Sequence, residues 1–68
     1  MKHVSGKRIA EVAQNKGWIF ISQSGSHAKY RDPIDGATLI IPIHGNKDLR
    51  PGLQRALMRQ LDIGDVDL

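Results

Sequence analysis

Apolar residues recur along the chain first at helical and then at strand-like spacing. Ile9, Val12 and Ala13 lie at i, i+3 and i+4, which predicts the buried face of a helix over residues 5–16. Ser5 is a favourable N-cap residue at the start of that helix. Three shorter segments, separated by turns that contain glycine or proline, follow and predict strands over residues 18–22, 26–31 and 37–43.

A second helical pattern comes after the strands. Leu53, Leu57 and Leu61 recur every four residues, and with Ala56 they predict a buried stripe. Pro51 suits the first turn of this helix, where the missing N–H costs nothing. The order therefore predicts a two-layer α-β-β-β-α domain of the α+β class, with two helices on one face of a three-stranded antiparallel sheet. Double-stranded-RNA-binding domains have the same order of elements.

The first strand is apolar on both faces, because Ile19, Phe20 and Ile21 follow one another. One of those faces would meet water in a sheet with helices on one side. We expect either that loops of the chain cover it or that another protein does. Pro42 cannot donate a ladder hydrogen bond, so the third strand should be an edge or should end there.

The charge of the chain is unevenly distributed. The 68 residues are enough for one domain, which we place at residues 1–68 with a core over about 5–61. Residues 1–61 hold all ten Lys and Arg and four acidic residues, whereas residues 62–68 hold three acidic residues and read as a frayed acidic tail. The basic body predicts a polyanionic partner such as nucleic acid, with ordinary solvated surface charge as the alternative.

Several classes of protein are disfavoured by the sequence. There is no cysteine for a disulfide or a thiolate metal site, and no nucleotide-binding or metalloprotease motif. No apolar run approaches the roughly 20 residues of a membrane span, and the N-terminus does not resemble a signal peptide. We expect a cytoplasmic protein without metal or cofactor.

The second predicted strand carries the residues best suited to chemistry. Strand alternation places His27, Lys29 and Arg31 on one face, and Ala28 and Tyr30 on the other. An imidazole can move a proton near neutral pH, and neighbouring cations can bind a phosphate. The alternative is a surface histidine without a role, because no acidic partner lies beside it in the sequence.

RNA transesterification is the chemistry that would suit such a site. A base takes the proton of the ribose 2′-OH, that oxygen attacks the adjacent phosphate, and an acid protonates the leaving 5′-oxygen. His27 is the candidate acid or base, and no metal is required. The candidate phosphate-binding residues are Lys29, Arg31, Lys47 and Arg50. His44 is a candidate second acid or base, although a loop residue without such a role is the alternative.

Two motifs resemble those of the HicA toxins. They are Gly-Ser-His-x-x-Tyr over residues 25–30 and His-Gly-Asn-Lys-x-Leu-x-Pro-Gly over residues 44–52, and the likeness extends over about residues 5–61. The resemblance implies a double-stranded-RNA-binding-like fold and a ribosome-independent mRNA-cleaving toxin that a HicB antitoxin inhibits. It also implies that His27 is the catalytic residue. Gln54 departs from the family, where an apolar residue is common, so the second helix should pack differently at its start.

Two other functions remain open from the sequence. A non-catalytic RNA-binding module would use the same fold and the same basic body. An interaction protein would recognise an acidic partner through its basic face, and its affinity would survive His27→Ala.

Overall fold

A computed structural model describes residues 1–68 of the chain. Its elements are α1 (Gly6–Asn15), β1 (Ile19–Ser24), β2 (His27–Arg31), β3 (Thr38–Pro42), α2 (Pro51–Leu61) and a short 3₁₀ turn (Asp65–Asp67). The three strands form one antiparallel sheet in the order β1-β2-β3. The predicted α+β class, order of elements and antiparallel sheet are confirmed.

The first helix begins and ends where its sequence predicts. The Ser5 hydroxyl accepts a hydrogen bond from the backbone N–H of Arg8 at 3.1 Å, which satisfies one of the free donors of the first turn. Gly17 takes a φ of +97° just beyond the last turn, a conformation that glycine adopts at little cost. Trp18, predicted to begin the first strand, instead lies before β1 and is buried in the core.

β2 is the central strand, and β1 and β3 are the two edges of the sheet. The edge position predicted for the strand that contains Pro42 is therefore confirmed. The pairing of β1 with β2 is in register except between Phe20 and Ser22, where Ile21 is the extra residue of a bulge. β1 consequently has an irregular ladder on its paired side and an unpaired backbone on its outer side.

Both helices pack on one face of the sheet, and the core lies between the two layers. α1 and α2 each contact β3, and β2 contributes Ala28 and Tyr30 to the core. Phe20 packs edge to face on Tyr30, with 5.6 Å between the ring centroids. Burial raises the pKa of the Tyr30 phenol above its usual value. The fully buried residues of the sheet are Ala28, Leu39 and Ile41.

The predicted buried stripe of α2 is partly wrong. Leu57 and Leu61 are buried as predicted, but Leu53 and Ala56 are exposed. Their places are taken by Gln54, which is fully buried, and by Met58. The reason is that the N-terminal segment runs beside α2 and needs a polar partner there.

Gln54 supplies the hydrogen bonds that this N-terminal segment needs. Its Oε1 accepts from the backbone N–H of Val4 at 3.1 Å, and its Nε2 donates to the carbonyl oxygen of Lys2 at 2.5 Å. A leucine at this position would leave both backbone groups without a partner. Gln54 therefore ties the start of α2 to the N-terminal segment through two hydrogen bonds.

The prediction of a frayed C-terminal tail is also wrong. Ile63 and Leu68 pack against the core, and the residues between them include the 3₁₀ turn. The Leu68 carbonyl oxygen accepts a hydrogen bond from the Lys2 ammonium at 3.0 Å, and the Met1 ammonium lies 3.7 Å from a carboxylate oxygen of Asp65. Ile63 and Leu68 therefore hold the acidic segment against the domain, whereas Val66 is exposed.

Candidate functional site

A two-residue turn fixes the position of His27 at the start of β2. Ser24 and His27 are paired, and Gly25 and Ser26 make the turn between them. Gly25 has a φ of +58°, which a hairpin turn this tight requires at its first position. The Ser26 carbonyl oxygen accepts from the N–H of Ile43 at 2.6 Å, so the turn is also tied to the end of β3.

His27, Lys29 and Arg31 lie in one row along the centre of the sheet, on the face opposite the helices. The alternation predicted for this strand is confirmed, because Ala28 and Tyr30 are buried between them. Residues paired directly across neighbouring strands share a face. The register therefore defines what we call the open face of the sheet: Ile19, Ser22, Ser24, His27, Lys29, Arg31, Thr38, Ile40 and Pro42.

The open face is positively charged and contains no acidic residue. Neither Lys29 nor Arg31 forms an ion pair, since the two ion pairs of the structure lie elsewhere. The His27 side chain is exposed and makes no hydrogen bond within the chain. The three side chains are thus available to an anionic ligand, and the imidazole is available to exchange a proton with it.

The loop between β3 and α2 forms a cavity of about 310 Å³ beside this face, which we call the loop cavity. Its apolar lining consists of Pro42, Leu49 and Leu53. Its polar lining consists of His44, Lys47, Asp48 and Arg50. The volume is at the lower end of the range of small-molecule sites, which suits a ligand of about the size of one nucleoside.

Pro42 connects the loop cavity to the open face. It is the partner of His27 across β2 and β3, and it also lines the cavity. Directly paired residues have Cβ atoms about 4.5–5.5 Å apart. The His27 side chain is therefore adjacent to Pro42, a residue of the cavity wall. The structure gathers His44, Lys47 and Arg50 in the cavity, and it places Lys29 beside His27 on β2.

Backbone contacts with the N-terminal segment hold the loop in place. The Leu49 N–H donates to the Val4 carbonyl oxygen at 2.9 Å, and Asp48 forms an isolated bridge with Ser5. Within the loop, the Lys47 N–H donates to the His44 carbonyl oxygen at 3.0 Å. The cavity is therefore built on fixed backbone rather than on a free loop.

Asp48 is the cavity residue that the sequence did not single out. Asp48 lines the cavity together with the cations Lys47 and Arg50, yet its carboxylate forms no ion pair and no side-chain hydrogen bond. Its position between Lys47 and Arg50 in the sequence was the available signal. No group of three potential metal-ligating side chains occurs in the structure.

The apolar residues of β1 remain uncovered. Ile19, Phe20 and Ile21 are each between 43% and 51% exposed. Ile19 and Ile40 lie on the open face, at opposite sides of the central row. Of the two alternatives raised by the sequence, coverage by loops of the chain itself is not found.

The fold and the site together define a small basic α+β protein that presents a histidine among cations on an open sheet face. A family model described as the HicA toxin of bacterial toxin-antitoxin matches residues 6–63. The chain therefore belongs to the HicA toxin family. Membership implies an antitoxin partner and a toxin of the ribonuclease type.

A search of curated proteins gave no match. None of the helices has the length and apolar character that crossing a membrane requires.

Proposed function

We propose that this protein is a metal-independent, ribosome-independent endoribonuclease that cleaves mRNA in the cytoplasm, with His27 as its general acid or base. The observation that carries the proposal is the exposed His27 side chain at the head of a row of cations, on a face without acidic residues. A protein that only bound RNA would need the cations but would have no need of an imidazole at this point.

The proposed reaction is transesterification at the ribose 2′-OH. The 2′-oxygen attacks the adjacent phosphorus as its proton leaves, the bond to the 5′-oxygen breaks, and that oxygen takes up a proton. An imidazole within hydrogen-bond reach can perform either proton transfer and typically contributes about 10²–10⁴-fold to the rate. Lys29 and Arg31 stand beside it in the same row and would stabilise the additional negative charge on the phosphate oxygens.

The loop cavity extends the proposed site. Lys47 and Arg50 supply two further cations for neighbouring phosphates. His44 lines the same cavity and is the candidate for the second proton transfer. The likeness to double-stranded-RNA-binding domains rests on the order of the elements, and it agrees with RNA as the substrate.

Cleavage of RNA in the presence of EDTA tests this function directly. Wild type should cleave, and His27→Ala should lose activity by about 10²-fold or more while retaining RNA binding. His3→Ala is the matched control, because His3 is an exposed histidine outside both the open face and the cavity. Equal cleavage by wild type and His27→Ala would remove His27 from the mechanism. RNA binding without cleavage by either protein would favour the non-catalytic module.

We further propose that the antitoxin partner is a HicB protein that covers the open face. An inhibitor of the proposed reaction has to exclude RNA from His27, and Ile19 and Ile40 offer apolar surface on either side of that row. The predicted contact surface also includes Ile21 at the bulge of β1. An antitoxin with acidic residues between apolar ones would match this distribution of charge.

Substitution on the open face tests that surface. Ile19→Ser with Ile40→Ser should weaken HicB binding at least ten-fold, because both residues lose apolar contact area. Ile34→Ser makes the same chemical change at a residue that is 93% exposed in the turn between β2 and β3. Binding that is equally strong in both variants would place the antitoxin elsewhere.

A further inference from the structure

The loop cavity combines three chemical features that one ligand would have to match. Pro42 and Leu53 form apolar walls, Lys47 and Arg50 carry positive charge, and Asp48 presents a carboxylate. A phosphate alone would use the cations and would be repelled by Asp48. An apolar side chain alone would leave every polar group of the cavity without a partner.

A nucleotide matches all three features. Its base has flat apolar faces that can pack between the walls, its phosphates suit the two cations, and the polar edge of its base can reach the carboxylate. Proteins that recognise single-stranded RNA commonly take an unstacked base into a pocket and hydrogen-bond its edge. The volume of about 310 Å³ is sufficient for one such base.

The carboxylate distinguishes among the four bases. An ionised carboxylate can only accept hydrogen bonds. Guanine is the base whose Watson–Crick edge carries two adjacent donors, N1–H and the N2 amino group. Adenine and cytosine each place an acceptor nitrogen next to their amino group, and uracil places a carbonyl on each side of its N3–H. Each of those edges would bring an acceptor against Asp48.

We propose that the loop cavity is a guanine-binding subsite for single-stranded RNA and that Asp48 is its specificity-determining residue. This inference rests on the proposed ribonuclease function, since it takes RNA as the ligand. Because Pro42 forms the cavity wall and is also the partner of His27, a base in the cavity brings an adjoining phosphodiester to His27. Cleavage should therefore occur next to guanosine.

The Asp48 carboxylate has no partner within the chain, which supports this role. The carboxylate has no ion pair or hydrogen bond within the chain, although two cations line the same cavity. Its backbone is held by the bridge to Ser5 and by the neighbouring bond from the Leu49 N–H to Val4. The acceptor is thus placed by fixed backbone and remains available to a ligand.

Binding of short RNA to the His27→Ala protein separates recognition from cleavage. The probes are five-nucleotide uridine oligonucleotides with one central guanosine, inosine or adenosine, followed by fluorescence anisotropy. Inosine keeps N1–H but lacks the N2 amino group, so it tests the second hydrogen bond. We expect guanosine to bind about ten-fold more tightly than inosine or adenosine. Adding Asp48→Asn should reduce the ratio of the affinity for guanosine to the affinity for inosine or adenosine to near one.

Asp62→Asn is the matched control. It makes the same chemical change at the other end of α2, roughly 13 Å along the helix from the cavity residue Leu53, and should leave the ratio unchanged. The ratio is the readout because loss of any acidic residue strengthens RNA binding in general. A ratio near one in the His27→Ala protein, or a ratio that survives Asp48→Asn, would overturn the subsite.

A parallel cleavage assay with wild type keeps the two proposals apart. Guanosine-selective binding without cleavage would contradict the ribonuclease and leave the subsite standing. Cleavage by wild type without a preference for guanosine, in binding or at the cut, would contradict the subsite and leave the ribonuclease standing.

Discussion

Gly6 lies directly against the carbonyl oxygen of Pro42, where the first turn of α1 meets the end of β3. A Cβ atom built on Gly6 would overlap that oxygen and would also lie too close to the carbonyl carbon of Pro42. The close approach of these two backbones therefore requires glycine. Because Pro42 is the partner of His27 and a wall of the loop cavity, the contact also positions the candidate site.

Substitution of Gly6 by alanine should destabilise the domain and reduce cleavage. The added methyl group forces α1 and the end of β3 apart, and such overpacking typically costs about 1–3 kcal/mol. Urea unfolding measures the loss of stability, and cleavage under conditions in which the variant stays folded measures the displacement at Pro42.

Gly52→Ala provides the comparison for this change. Gly52 is also helical, but no atom lies within 4 Å of an added Cβ. Its replacement should leave stability unchanged or raise it by up to about 1 kcal/mol. Similar losses in the two variants would show that helix propensity, rather than the contact with Pro42, governs the effect.

Replacement of Gln54 by leucine should destabilise the protein in spite of the gain in apolar character. The substitution leaves the Val4 N–H and the Lys2 carbonyl oxygen without partners, and an unsatisfied buried group costs about 1–3 kcal/mol. Gln60→Leu makes the same change at an exposed position of α2 and should alter stability by less than about 0.5 kcal/mol. A Gln54→Leu protein as stable as wild type in urea would contradict this account.

Removal of Lys29 and Arg31 together should weaken RNA binding and also make it less dependent on salt. If each cation neutralises one phosphate of a single strand, the slope of log K against log salt should fall by about 1.4 in magnitude. The control is Lys7→Ala with Lys16→Ala, which removes two exposed cations near the ends of α1. Equal slopes in the two double variants would mean that the open face is not the RNA-binding face.

Tyr30 should make the domain less stable at high pH. Its pKa is raised in the folded state, so the unfolded chain loses the phenolic proton first as pH increases. The stabilising contribution is present below about pH 10 and is lost as pH rises through the folded pKa, by at most about 1.4 kcal/mol per pH unit. Tyr30→Phe lacks this proton, so its stability relative to wild type should increase above pH 10. Parallel urea titrations from pH 7 to 11 measure the difference.

The strand carrying the candidate site was the most predictable part of the fold. Alternation alone placed His27, Lys29 and Arg31 on one face, because a strand has a period of two and Ala28 and Tyr30 had to point to the core. The two ends of α1 were equally predictable from the sequence. Ser5 and Gly17 each affect backbone groups only a few residues away in the chain. Such local signals do not depend on the rest of the chain.

The predictions from sequence were wrong or incomplete where segments that are distant in the chain meet in the fold. The burial of Gln54 depends on a segment about fifty residues earlier in the chain, and no periodic pattern in α2 could have indicated it. The loop cavity likewise requires the end of β3, the loop and the start of α2 to come together. Asp48 was not singled out because its place in the cavity depends on segments that come together only in the fold.

The bulge at Ile21 has a consequence for the assembly of the free protein. The outer backbone of β1 is unpaired and the first half of the strand, residues 19–21, is apolar, which is the arrangement that favours edge-to-edge growth of sheets between molecules. An extra residue bends the strand and increases its twist, so a second flat strand cannot pair along its whole length. We therefore expect the bulge to limit self-association of the protein through this edge.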